Sequence, residues 1–333
     1  MTHQILITGG AGYIGSHVVR QLGEAGYDVV VYDNCSTGVA TAVLSGKLVV
    51  GDLADIESLY RTFAQNQFAA VLHFAASTVV PESVAQPLDY YANNTRNTLN
   101  LLRCCQTFGV KKLVFSSTAA VYGSPEESPV SESFPTIPIN PYGRSKLMSE
   151  WMIQDYGLAS ELQYIILRYF NVAGADPAMR IGQFTPNATH LIKVACEAAL
   201  GKRPSLSIFG TDFPTVDGTG IRDYIHVEDL ATAHIDALRY LQTGGKSRVL
   251  NCGYGHGYSV RQVIAKVKEF SGVDFPVIEA PRRLGDPACV VATSEEIRKL
   301  LGWKPQYDRL DAIVGTALEW EKKLTHAKSS FKE

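Results

Sequence analysis

Short apolar runs alternate with longer stretches in which apolar residues recur every three to four positions, and this alternation continues through the first 200 residues. Runs at 5–8, 27–33, 47–53, 69–76 and 110–115 are apolar at consecutive rather than alternate positions, which predicts strands buried on both faces, as in a parallel sheet. Helical spacing fills the intervals at 16–26, where Gly26 stops it, at 90–106, which Gly109 closes, and at 142–153. A sixth strand ends at 168–171 and a further helix covers 191–200. Residues 124–141 hold five prolines and several serines, so they form an irregular loop over one edge of the sheet. The repetition predicts an α/β chain. Residues 1–172 form a Rossmann-type, doubly wound parallel sheet, and residues 173–333 form mainly a smaller α/β domain, with 222–250 returning to the first.

The first strand breaks into Gly9-Gly-Ala-Gly12-Tyr13-Ile14-Gly15 and opens a helix. Gly9 permits a sharp turn, Gly12 lets main chain approach a diphosphate, and Gly15 lets helix and strand pack closely, while the helix N-terminus offers free N–H groups to an anion. About 20 residues on, Asp33 ends the second strand, placed to accept from both ribose hydroxyls of an adenosine. The following Asn34-Cys-Ser36-Thr-Gly38 has no Arg or Lys to receive a 2′-phosphate, so the site favours NAD over NADP. Asp52, beside Leu53 at the end of the third strand, either accepts from the adenine amino group or caps the next helix. Phe74-Ala75-Ala76 ends the fourth strand in small residues, which suits main chain lying close beneath a pyrophosphate and ribose.

Composition narrows the partners. With 46% hydrophobic residues and a net charge of −2 over 333 residues, the chain has ample material for a core and no basic field, which argues against nucleic acid and anionic membrane as partners. A first strand starting at residue 5 leaves no room for a secretory leader, and no run approaches the ~20 apolar residues of a membrane span. Six cysteines without Cys-x-x-Cys or zinc-type His/Cys spacing read as reduced thiols and no metal site. These features predict a cytoplasmic protein.

The fifth strand delivers Ser116-Ser-Thr118 to the carboxyl edge of the sheet, where open α/β sheets place ligands. Just beyond the proline-rich loop, Tyr142 and Lys146 lie one above the other on a helix. A phenol titrates near ~10, so its use as a base at neutral pH requires about 4 kcal/mol of selective stabilisation of phenolate, which a lysine ammonium and a cationic nicotinamide together could supply. Arg222 and Arg283, from separated segments, could clamp a diphosphate bidentately.

The run Thr8-Gly-Gly-Ala-Gly-Tyr-Ile-Gly15, Thr118 and Tyr142-x-x-x-Lys146 resemble the extended short-chain dehydrogenase/reductase family. The similarity extends through Pro87-Leu-Asp-Tyr-Tyr91, Asn140-Pro-Tyr-Gly-Arg-Ser-Lys-Leu-Met148, Leu167-Arg-Tyr-Phe-Asn171 and the segment 217–227. It is closest to members that invert C4 of a UDP-hexose, interconverting UDP-glucose and UDP-galactose. The resemblance implies tightly held NAD touched also by Tyr13, Ile14, Asn34, Ser36, Asp52, Leu53, Phe74, Ala75, Ala76, Asn93 and Tyr169. Asn93 could equally cap its helix or cross to the next strand. Tyr142, Lys146 and Thr118 are then the catalytic set. The substrate is held by Asn171, by His190 and Leu191, where an Asn often replaces the His, by Ser207 and Phe209 at the uracil, and by Arg222, Tyr224, Arg283 and Asp286. An apolar hairpin strand would look the same as 207–209.

Dehydratase relatives carry carboxylates directly after the Ser/Thr, whereas Ala119 and Ala120 here cannot move protons. A non-catalytic NAD sensor has no need of an ionised phenol. Val290 falls where relatives carry either a tyrosine or a smaller residue beside the sugar's 2-position; it either shapes that pocket or packs beneath the Pro287 loop. Thr78 replaces a lysine that some members place near the pyrophosphate. A homodimer through helices 91–106 and 142–153 is implied by resemblance.

Overall fold

The computed structural model describes residues 4–185, 188–283 and 286–329. Its chain runs β1 (Gln4–Thr8), α1 (Tyr13–Glu24), β2 (Asp28–Asp33), β3 (Lys47–Val50), α2 (Ile56–Ala64), β4 (Phe68–His73), α3 (Val80–Ala85), α4 (Pro87–Tyr90), a π turn (Tyr91–Arg96), α5 (Asn97–Phe108), β5 (Lys112–Thr118), α6 (Pro141–Ala159), β6 (Gln163–Tyr169) and β7 (Asn171–Ala173). Then come α7 (Leu191–Ala199), β8 (Leu206–Phe209), β9 (Ile221–Arg222), β10 (Tyr224–His226), α8 (Val227–Gln242), β11 (Arg248–Cys252), β12 (Tyr258–Ser259), α9 (Val260–Ser271), β13 (Val277–Ala280), β14 (Cys289–Val290), α10 (Glu295–Leu301) and α11 (Leu310–Ser329).

Seven parallel strands form the central sheet in the order β11-β6-β5-β4-β1-β2-β3. The continuous apolar runs follow from burial on both faces. Ile5, Ile7, Val29 and Val31 point to one layer with Val18 and Leu22 of α1 and Leu230 of α8. Leu6, Val30 and Val71 point to the other with Phe63, Leu101 and Ile153. After β1 the chain builds outward to β2 and β3, then returns to lay β4 on the opposite side of β1. Such a reversal of strand order is where open α/β sheets keep a ligand crevice at the carboxyl ends of their strands.

Four boundaries differ from the sequence pattern. α1 begins at Tyr13, on Gly12, and stops at Glu24, ahead of the turn at Gly26 with φ +82°. β5 continues to Thr118 because Ser116, Ser117 and Thr118 still register with Leu167, Arg168 and Tyr169. The helical stretch after residue 90 is interrupted by the π turn, where Asn94 reaches both Ser77 and Ser145. β7 leaves the main sheet after Phe170 and pairs with β10 instead. The segment 206–209 is no hairpin: β8 pairs in parallel with β13, which lies about 70 residues later.

Candidate active site

Around the first crevice the glycines act by different means. A Cβ on Gly9, at φ +74°, would meet the Ala75 main-chain nitrogen at 2.4 Å, and one on Gly15 would meet the Gly9 carbonyl at 2.2 Å. Both are therefore required by the packing of loop, strand and helix. At Gly12 the only neighbour is the Gly9 carbonyl at 3.3 Å, so that position borders open space. Gly12 also precedes α1 without a side-chain cap, and the first turn holds no acid, so the helix end keeps its N–H groups for an outside anion.

Asp33 is buried and receives one main-chain N–H on each oxygen, Ala11 N at 2.9 Å and Cys35 N at 2.8 Å, which orients its remaining lone pairs. Asn34 donates to Asp52 at 2.8 Å while accepting from Ser36 N at 3.0 Å. Asp52 also accepts from Ala54 N, but the cap of α2 is Asp55, whose side chain accepts from Ser58 N. The capping alternative for Asp52 is thus filled by another residue. Leu53 is buried, Phe74, Ala75 and Ala76 are half-buried, and Phe74 N donates to Thr8 O at 2.9 Å, binding the end of β4 to β1. Tyr13 and Ile14 are half-buried at the start of α1, and the Tyr13 hydroxyl donates to Gly174 O at 2.6 Å. Asn93 donates to Ser77 Oγ and accepts from Asn97, so it neither caps a helix nor crosses to a strand. Its neighbour Asn94 ties the Ser77 loop to Ser145 of α6, a link hidden in the sequence because its neighbours make an ordinary polar helix face. Thr78, next to Ser77, is exposed.

The second strong sequence signal lies against this crevice. Asn140 caps α6 by accepting from Gly143 N at 2.8 Å, with Pro141 in the first turn, so Tyr142 is held at the very start of the helix. Thr118, the last residue of β5, stands beside the Tyr142 phenol, close enough for its hydroxyl to pull the phenol's pKa down, while Thr118 Oγ1 itself accepts from Ala120 N at 3.1 Å. Burial pushes the Tyr142 phenol up, and Thr118 offsets part of this. One turn on, Lys146 is 3% exposed with Nζ 4.4 Å from the centre of the Phe115 ring. Burial pulls its ammonium down to about 7, against the opposing charge of Glu150. Glu150 is itself committed elsewhere, to Arg168 at 2.6 Å and to the Ser117 hydroxyl. The protein alone therefore favours neither phenolate nor ammonium. A cationic ring beside them shifts the balance towards phenolate. Tyr169 shares a 2.6 Å hydrogen bond with Ser116, and the Phe74 ring packs tilted by 44° against His234, with centroids 4.6 Å apart.

The substrate candidates fall into two groups. Asn171, His190, Leu191 and Tyr224 line one narrow cleft together with Gln183 and Lys193. In the other group, Arg283 lies 4.3 Å over the Phe209 ring and 3.3 Å from Asp286, while Ser207 is half-buried two residues from Phe209. Arg222 feels the charges of both Arg283 and Asp286. The two arginines do not share a partner: Arg222 donates to Ile221 O at 2.8 Å. Val290 registers beside Arg222 and packs against Phe170 and Ala292, with Ala119 alongside.

The proline-rich loop is zipped onto this last segment. Val130 N donates to Val291 O at 2.7 Å, Thr293 N donates to Val130 O at 2.8 Å, and Asn251 of β11 donates to the same carbonyl at 2.9 Å. Among the described residues no helix is long and apolar enough to cross a membrane.

A doubly wound sheet, a bare helix end over three spaced glycines, an acid at the end of β2 and a Thr–Tyr–Lys set at the carboxyl edge define an NAD-binding enzyme of the Rossmann class. Comparison with known proteins agrees: the profile of the NAD dependent epimerase/dehydratase family matches residues 5–253, and the chain belongs to that family. It is 58% identical over 322 residues to the UDP-glucose 4-epimerase of Azospirillum brasilense, covering 96% of this chain and 92% of the relative. Among solved structures it resembles UDP-glucose 4-epimerase from Brucella ovis in complex with NAD, at 43% identity and TM-score 0.93, with 95% and 98% of the two chains covered. The UDP-Glc/GlcNAc 4-epimerase of Campylobacter jejuni is 50% identical, with TM-score 0.86 over 96% and 99%.

Proposed function

We infer that this chain is an isomerase that interconverts UDP-galactose and UDP-glucose through a transient 4-keto sugar, the UDP-glucose 4-epimerase reaction (EC 5.1.3.2). The observation that carries the reading is the placement of Thr118, at the end of β5, beside the buried Tyr142 phenol at the start of α6, one helical turn from Lys146, in a site whose next two residues are Ala119 and Ala120. Tyr142 takes the proton from the C4 hydroxyl, and Thr118 holds that hydroxyl in line. NAD, when bound, supplies the hydride acceptor and donor. Lys146 stabilises the phenolate and bonds the nicotinamide ribose. Gly9, Gly12, Gly15 and Asp33, with the neighbours named above, hold the cofactor, and Asn171, His190, Arg222 and Asp286 tether the nucleotide while the sugar turns its other face to the same base. Elimination of water, the dehydratase route, needs an acid and a base beside the ring, and Ala119 and Ala120 supply neither.

Support for action on UDP-N-acetylhexosamines comes from Val290, which leaves the space beside Phe170 and Ala119 without a ring or hydroxyl. Support for a homodimer through helices 91–106 and 142–153 comes from exposed Met148 and Trp151 on α6, with exposed Val84 and Leu88 just ahead of the 91–106 stretch. Six free cysteines support a cytoplasmic location. The deciding experiment incubates purified protein with UDP-galactose and couples UDP-glucose formation to an NAD-linked dehydrogenase. Absence of product, or, in the reaction run without the coupling enzyme and followed by chromatography, a requirement for NAD as a consumed co-substrate, would sink the assignment.

A further inference from the structure

The cleft beside Asn171 receives an anion in the reading above, and the inference that follows rests on that reading. Its charged groups are largely spent on one another. Lys193 Nζ lies 2.5 Å from Glu321 of α11 and 3.6 Å from Glu197 of its own helix, and Lys202 pairs with Glu321 at 2.5 Å. A diphosphate entering here depends on neutral donors, and His190 lines the same cleft.

An imidazole is a neutral donor at Nε2 only when Nδ1 is bare. Nδ1 of His190 lies 3.2 Å from Nε2 of Gln183, a residue 7% exposed. An amide N–H directed at Nδ1 forces the ring proton onto Nε2. Gln183 is itself gripped from both sides, its main-chain carbonyl accepting from Trp320 Nε1 and from Lys193 Nζ, each at 3.4 Å. A carboxylate in its place could not play this part without drawing a second proton onto the ring.

We propose that Gln183 is a positioning residue for the substrate: its carboxamide holds His190 in the Nε2–H tautomer, so that a neutral imidazole donates to the nucleoside diphosphate. The test uses the NAD-loaded enzyme and UDP as probe. Gln183→Leu weakens UDP binding, measured by calorimetry, about tenfold, the size of one lost hydrogen bond. It raises KM for UDP-galactose similarly while kcat stays within about twofold. In a His190→Ala background the same substitution has no further effect. Gln183→Glu makes UDP affinity steeper in pH than the parent's between pH 6 and 8.5, because the carboxylate favours imidazolium; the parent's own slope records the titration of the UDP phosphate and is subtracted. Equal losses in both backgrounds overturn the proposal, as does a ¹⁵N spectrum of the parent showing the His190 proton on Nδ1. That spectrum also decides the matter should Gln183→Leu fail to fold. If the enzyme binds no UDP at all, the functional reading fails instead, and the tautomer measurement still judges Gln183 separately.

Discussion

Lys146 makes the empty site less stable than a bland one, and the cost can be worked out. Its ammonium is pulled from the ordinary 10.5 down to about 7 by burial. Each pH interval of that displacement is worth about 1.4 kcal/mol, so forcing the charge inside costs roughly 5 kcal/mol at pH values below 7. The sign follows from linkage. A cation whose folded pKa lies below its unfolded value destabilises fully under the folded pKa, and the penalty fades as pH rises from there towards 10.5. Lys146→Met, which keeps the stem and removes the charge, should therefore stabilise the NAD-free protein by about 4 kcal/mol near pH 7 and by nothing near pH 10.5. At about 2.1 cal/mol/K per residue, 333 residues give an unfolding entropy near ~0.7 kcal/mol/K, so the gain corresponds to a Tm rise of about 6 °C at pH 7. Scanning calorimetry of stripped protein at pH 6, 7, 8.5 and 10 checks this. A difference that does not vary with pH, or a variant less stable than the parent, would refute it. Activity should vanish in the same variant, so one side chain would be seen to exchange stability for chemistry.

Tyr142→Phe should lower turnover by ~10²-fold to ~10⁴-fold while NAD remains bound, as judged by cofactor released on denaturation; near-normal activity removes the phenol from the mechanism. The parent should epimerise UDP-N-acetylglucosamine with kcat/KM within ~100-fold of UDP-glucose, and Val290→Tyr should lose the acetamido sugar selectively. An inactive parent on that sugar, or a tyrosine variant that keeps it, counts against the pocket reading. Thr78→Lys adds a charge-assisted contact near the pyrophosphate and should tighten NAD by about 1 to 2 kcal/mol in a dilution series; unchanged retention means that main-chain donors already suffice.

The parts legible in the sequence are those whose cause is local. Unbroken apolar runs such as residues 27–33 reflect burial on two faces, and Gly9 and Gly15 reflect clashes with chain that lies nearby in every sheet of this kind. Tyr142 and Lys146 were readable because four residues on a helix is a fixed geometry. What escaped depends on distant partners. The π turn exists where Asn94 bonds Ser77 and Ser145, which lie 17 residues behind and 51 ahead. The departure of β7 from the sheet depends on β10, and the strand at 206–209 finds its neighbour only at 277–280. Asp52 is a plausible cap on paper, and only its turn with Ala54 and the bond from Ser58 N to Asp55 give the role to Asp55. Gln183 carries no motif; its meaning arises from the ring it faces.

The zipper between Val130 and the segment 291–293 bears on how such a pocket can be rebuilt. One wall of the site, near Val290, and the loop that overhangs it share main-chain hydrogen bonds, and both are fastened through Asn251 to the outermost strand of the sheet. Transplanting either piece alone from a relative risks a path of main chain out of register with the other, which would break the Val130–Val291 and Thr293–Val130 bonds together. The smallest exchangeable module for sugar selectivity is consequently discontinuous: the loop and the late strand must be inherited, or grafted, as a pair.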